Sequence, residues 1–136
     1  MKKVISLILA VLMLVSLPTA MYANENDPDS GITPYWDNMD LIEVGLSFNG
    51  TSGTATVTVD RVFGITTSIE GTLTVYKKVG NDWVYVDSTS GTSTRQLNLD
   101  LTFTGSKGTT YKAVADITAN GTGGSESASV EKEKTC

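Results

Sequence analysis

The sequence predicts an all-β fold, a single antiparallel two-sheet sandwich of about seven strands after a cleaved N-terminal signal helix. Three observations carry this expectation. Apolar and polar residues alternate over short runs, most clearly at Leu97, Leu99, Leu101 and Phe103 and again at Tyr111, Ala113, Ala115 and Ile117. That is the period of a strand with one buried face. Tracts rich in Gly, Asn, Asp and Ser recur about every ten residues, the spacing of turns in a sandwich. Residues 24–136 also hold 19 Thr and 11 Ser, many of them between apolar positions, and Thr suits the wet face of a pleated sheet. Beyond the first residues, no segment shows sustained helical spacing.

Residues 1–23 read as a signal peptide. Lys2 and Lys3 precede an apolar run from Val4 to Leu17, and small residues surround Ala20 and Ala23, with cleavage expected after Ala23. The apolar run of about 14 residues is shorter than the ~20 that a membrane-spanning helix needs, and Asn24, Glu25, Asn26 and Asp27 follow it directly. The expectation is a secreted, extracellular protein with no membrane insertion after cleavage. The remaining chain has the size of one domain. It carries 8 basic against 15 acidic residues, a net charge of −7, which argues against nucleic acid or anionic lipid as partner. Cys136 is the sole cysteine, so no disulfide forms within the chain. It is either an incidental thiol or a link between two chains. With no histidine and no second cysteine, zinc sites and histidine-based triads are excluded.

Residues 24–37 form an acidic linker interrupted by Pro28 and Pro34. Asp27, Asp29 and Gly31 share part of a calcium-loop pattern but lack the carboxylate that closes it. Ile32, Tyr35 and Trp36, beside Pro34, are expected to pack on an edge of the domain. The sandwich itself is expected over residues 38–131. Its first strand runs from Met39 to Phe48, with Ile42, Val44, Leu46 and Phe48 inward, and Asn49-Gly50-Thr51-Ser52-Gly53 makes the turn. The second, Thr54 to Val62, buries Ala55, Val57 and Val59. Phe63 to Thr67 connects to a third strand over Ser68–Val79, and Gly80-Asn81-Asp82 closes a tight hairpin into a fourth, Trp83–Ser88. On that fourth strand Val84 and Val86 share one face, and Trp83 and Tyr85 the other. Ser88 to Thr94 reads as a loop. The runs at Leu97–Phe103 and Tyr111–Ala119 then flank the loop Gly105-Ser106-Lys107-Gly108 and read as an antiparallel pair at the centre of the sandwich. A last short strand spans Ser125–Glu131, and residues 132–136 form a charged, frayed tail.

From Gly80 to Ser129 the chain resembles a fibronectin type III or immunoglobulin-like domain. The resemblance lies in Leu101, Gly108-Thr109-Thr110-Tyr111, Ala113, Ala115, Ile117, the Asn120–Gly124 turn and Ser125-Glu126-Ser127. It implies that Tyr111, at the start of the penultimate strand, ties its hydroxyl back to the preceding corner. The second strand departs from the pattern, since it carries no tryptophan. The chain is also similar to small secreted bacterial single-domain proteins of unknown function, through Ile32-Thr33-Pro34-Tyr35-Trp36 and the Tyr76–Trp83 hairpin. That similarity implies a fold and a compartment and carries over no catalytic or binding residue.

Catalysis finds little support in the residues. Glu43, Glu70, Asp60, Asp87, Asp100 and Asp116 fall on polar faces or strand ends, and no spacing singles out a pair of the kind glycosidases use. The only candidate bases for the serines are lysines in strands and turns without a recognisable motif, and Gly121, Gly123 and Gly124 sit in a hairpin rather than before a helix. The expectation is a non-enzyme without cofactor or metal, making extracellular or cell-envelope surface contacts. An alternative is a carbohydrate-binding module, and a third reading, a bacteriocin-like toxin, is opposed by the acidic charge. The residues for ligand contact are Trp83, Tyr85, Tyr76 and Trp36, since aromatics present large rigid surface at low entropic cost. The competing reading is that Trp83 caps the core edge and Tyr85 covers its flank. Exposure of Trp83 separates the two. The partners expected are an unknown extracellular protein or a cell-envelope glycan, with a dimer through Cys136 a further option.

Overall fold

Alternation along the chain becomes seven strands in two antiparallel sheets. The fold is a computed structural model that describes residues 37–136. The expected signal peptide, the expected linker up to Trp36, and with it Trp36 as a ligand contact, lie outside the described residues. The strands are β1 (Met39–Asn49), β2 (Ser52–Arg61), β3 (Thr66–Val79), β4 (Asp82–Ser93), β5 (Leu97–Thr104), β6 (Thr110–Gly121) and β7 (Gly124–Thr135), with no helix among the described residues. One sheet has the order β1-β2-β5 and the other β4-β3-β6-β7.

The sheets enclose one apolar core, to which β2 contributes Ala55, Val57 and Val59, β5 Leu97, Leu99 and Leu101, and β3 Ile69, Leu73 and Val75. Within the larger sheet the register matches one large residue to one small at each inward pair: Ile69 with Ala119, Gly71 with Ile117, Leu73 with Ala115, and Val75 with Ala113. This alternation fills the space between the sheets without overpacking. A methyl group at Gly71 would stand 2.6 Å from Leu97 Cδ2 and 2.7 Å from Ile117 Cδ1. The glycine is therefore there for close approach, not for backbone freedom.

Both ends of the sandwich are tied. At the end where β1 begins, Asn38 is buried; its Nδ2 donates to the carbonyls of Ala119 and Gly124, and its own carbonyl accepts from Thr66 Oγ1 at 2.6 Å. Its backbone N–H donates to Glu126 at 2.9 Å. At the opposite end Phe48, Phe103 and Tyr111 pack ring to ring with centroids 5.2–5.7 Å apart. The Tyr111 hydroxyl accepts from the Ser106 N–H at 2.8 Å, which satisfies a phenol that is otherwise 2% exposed.

Three expectations need correction. The runs at Leu97–Phe103 and Tyr111–Ala119 are not partners: β5 pairs with β2 and β6 with β3 and β7, so the Gly105–Gly108 loop crosses between sheets. Alternation marks a buried face, and both strands bury theirs in the same core from opposite sides. The Ser88–Thr94 segment is not a loop, because β4 continues to Ser93 in register with β3. Lacking apolar residues, it closes the sandwich edge with a glycine, and a methyl group at Gly91 would meet Leu99 Cδ2 at 2.8 Å. Nor is the charged tail from Lys132 frayed or the domain bounded at Glu131. β7 runs to Thr135, Cys136 N–H donates to Thr109 O, and Gly108 N–H donates to Cys136 O. Alternating Lys and Glu are at home on an outer strand, where charge blocks pairing with another chain.

Candidate functional site

The hairpin of β3 and β4 is turned by Gly80-Asn81, with Gly80 at φ 62°, a conformation that side chains other than glycine's resist. Its register sets Tyr76 opposite Tyr85 and Lys78 opposite Trp83. Residues directly opposed in an antiparallel pair share a face, so all four stand on the outer face of the larger sheet. Between Val75 and Tyr76 the register slips by one, leaving Val86 without a partner as a bulge. Val86 packs against the core, while Val84, opposite Lys77 and so on the same side of the sheet, lies beyond the end of the core and is exposed. Core packing ends at Val75, and Lys77, Lys78 and Val79 beyond it are exposed.

Tyr76, Trp83 and Tyr85 come together there. Tyr76 and Tyr85 meet edge to face with centroids 6.5 Å apart. Trp83 is half-buried and Tyr85 is 57% exposed, and neither belongs to the core. The Lys112 ammonium, from β6, lies 4.4 Å from the Trp83 ring centroid and 5.9 Å from that of Tyr76. Lys78 Nζ lies 5.7 Å from the same indole. Among the described residues one ion pair forms, Lys112 with Glu131 at 3.8 Å.

The same face continues as a polar surface. Its register builds rows across the sheet: Tyr85–Tyr76–Lys112–Glu133, Ser88–Thr74–Val114–Glu131, Ser90–Thr72–Asp116–Ser129 and Thr92–Glu70–Thr118–Ser127. Hydroxyls pair along these rows, Thr72 with Ser90 at 2.9 Å and Thr118 with Ser127 at 3.0 Å. The last two rows line a shallow depression of about 850 Å³ that also brings Glu70 and Asp116 to one surface. One end of the face thus carries the aromatics with Lys78 and Lys112 beside Glu131 and Glu133, and the other is hydroxylated and anionic.

Trp36 lies outside the described residues, and Tyr111 sits in the core, next to Lys112 at the start of β6 but on the opposite face of the sheet. Cys136 is half-buried against the core, its thiol donating to Gly50 O at 3.5 Å. Sequence reasoning missed Lys78 and Lys112. Alternation alone puts Lys112 on the outer face, but only register across three strands sets it beside a tryptophan of β4. It also passed over Phe63, 85% exposed in the β2–β3 loop with the Arg61 guanidinium 5.2 Å from its ring centroid. Among the described residues, no three Cys, Asp or Glu side chains gather to hold a metal. No protein-family model matches the chain, and no curated protein matches it.

Proposed function

We propose that this chain is a secreted, non-catalytic β-sandwich of the immunoglobulin or fibronectin type III kind, which acts by binding a cell-envelope or extracellular component through the outer face of its β4-β3-β6-β7 sheet. Secretion rests on the charged, apolar and small-residue sections of residues 1–23. The family kinship rests on two features. The strand order sets the first, second and fifth strands against the third, sixth and seventh, with the fourth beside the third, as in the immunoglobulin arrangement with an added fourth strand on that sheet. The second is the tyrosine at the start of the sixth strand, tied to the corner before it.

One observation carries the binding role. Phe48, Phe103 and Tyr111 pack against the core, whereas Tyr76, Trp83 and Tyr85 gather on the solvent side, with Tyr85 57% exposed. Three clustered aromatics outside a core mark a contact surface. A glycan is the occupant favoured by what adjoins them: a strip of Thr and Ser hydroxyls on the same face, able to pair with sugar hydroxyls beside rings that stack on sugar faces. The test is retention of the purified protein on insoluble polysaccharides and cell walls, next to Trp83→Ala and Tyr85→Ala. Retention that both substitutions weaken supports the reading. A folded protein that passes through every matrix contradicts the glycan and leaves a protein partner.

A further inference from the structure

Resting on the sheet-face reading above, we infer that the ligand is a carboxylated glycan, a chain bearing uronate-type sugars, whose carboxylate is held between Lys78 and Lys112 while a sugar ring lies against Tyr85. Two ammonium groups converge on one indole, Lys112 at 4.4 Å and Lys78 at 5.7 Å from the Trp83 centroid. Lys112 has two carboxylates beside it on β7, Glu131 at 3.8 Å and Glu133 directly opposite in register, whereas Lys78 has no carboxylate within 4.0 Å among the described residues. The Lys112 side chain is 17% exposed, so its charge is screened less by water than that of a free surface lysine. In a domain with a large acidic excess, this is a place where positive charge, aromatic surface and hydroxyls coincide.

The aromatics select the polymer class. Tyr85 presents its ring to solvent beside Tyr76, and its hydroxyl pairs with Ser88 Oγ at 3.1 Å, so a ligand that stacks there meets the exposed Ser88 in the next row. From Tyr85 to Lys112 the face spans two interstrand spacings, about 10 Å, wide enough for a stacked sugar at one side and a captured carboxylate at the other. The acids of the depression do not oppose this. Asp116 lies four residues along β6 from Lys112, roughly 13 Å, which exceeds the ~8 Å screening length at physiological salt.

Titration calorimetry of the purified protein with short oligogalacturonides, and with the same oligomers after their carboxyl groups are reduced to alcohols, tests the inference. The acidic oligomers are expected to bind, with affinity falling at high salt. Carboxyl reduction, and the pair Lys78→Gln with Lys112→Gln, are each expected to weaken binding about tenfold or more, a change of about 1.4 kcal/mol. Tyr85→Ala, at a position 57% exposed and with its folding checked by circular dichroism, is expected to abolish it. Equal binding of acidic and reduced oligomers overturns the charge requirement and leaves the glycan reading intact. Binding of neither overturns the inference and leaves the glycan reading to the polysaccharide and cell-wall panel. Acidic oligomers that bind Tyr85→Ala as well as the parent protein reveal simple ion exchange and also overturn the inference.

Discussion

The Lys112 ammonium sits 4.4 Å from the centroid of the Trp83 ring, joining the sixth strand to the fourth across the third. The contact lies on the outer face, so its energy is modest: a cation over an aromatic ring at such a site is worth about 0.5–1 kcal/mol, and the partly exposed pair with Glu131 adds less than about 1 kcal/mol. Lys112→Met is therefore expected to lower the unfolding free energy by no more than about 2 kcal/mol. Urea denaturation followed by circular dichroism checks this. A loss of several kcal/mol would make the cluster a structural clamp and not a contact surface.

Tyr111 is the opposite case, an aromatic with a structural duty. Tyr111→Phe keeps the ring among Phe48 and Phe103 and removes only the acceptor for the Ser106 N–H, at an expected cost of about 1 kcal/mol. Tyr111→Ala also empties the ring's volume and is expected to cost about 3–5 kcal/mol. Chemical denaturation of the two variants separates corner from packing, and equal losses would assign the whole effect to the hydroxyl.

Asn38 holds the first strand to the β6–β7 hairpin with an amide that donates to two carbonyls. Asn38→Ala leaves both acceptors buried or half-buried without their donor and is expected to cost about 2 kcal/mol. Asn38→Asp is expected to cost more, since a carboxylate has no donor and faces those carbonyl oxygens directly. Thermal unfolding ranks the variants, and an Asp variant as stable as the parent protein would contradict the latch.

What was legible in the sequence, and what was not, follows from what each signal encodes. Period-two alternation located every core strand, because residues such as Val57, Leu73 and Ala115 have to face inward wherever their strand ends up. Alternation says nothing of partners, so β5 and β6 looked like a hairpin although they belong to different sheets. It is also silent where a strand carries no apolar residue, as in Ser88–Ser93 and Lys132–Thr135, whose pairing comes from the neighbouring strand. The aromatic trio was legible through the tight turn at Gly80, which fixes local register. Its lysines were not, since Lys112 comes from 29 residues further along the chain than Trp83 and meets it only through the order of the sheet.

The large-small pairing of β3 with β6 is open to a direct test. Gly71→Ala drives a methyl group toward Leu97 and Ile117 and is expected to destabilise by about 1–3 kcal/mol. Adding Ile117→Val removes the carbon it meets at 2.7 Å, so part of the loss is expected to return in the double variant. Strictly additive losses in a double-mutant cycle would show that the two positions do not share space.

The most direct measurement is a heteronuclear NMR titration of the purified protein with short oligogalacturonides, reading amide shifts along every strand. Shifts are expected to concentrate at Tyr76, Lys78, Trp83, Tyr85 and Lys112, with the β1-β2-β5 sheet unmoved. Shifts centred instead on Phe63 and the β2–β3 loop, or on the outer face of β1-β2-β5, would contradict the assignment of this face as the binding surface.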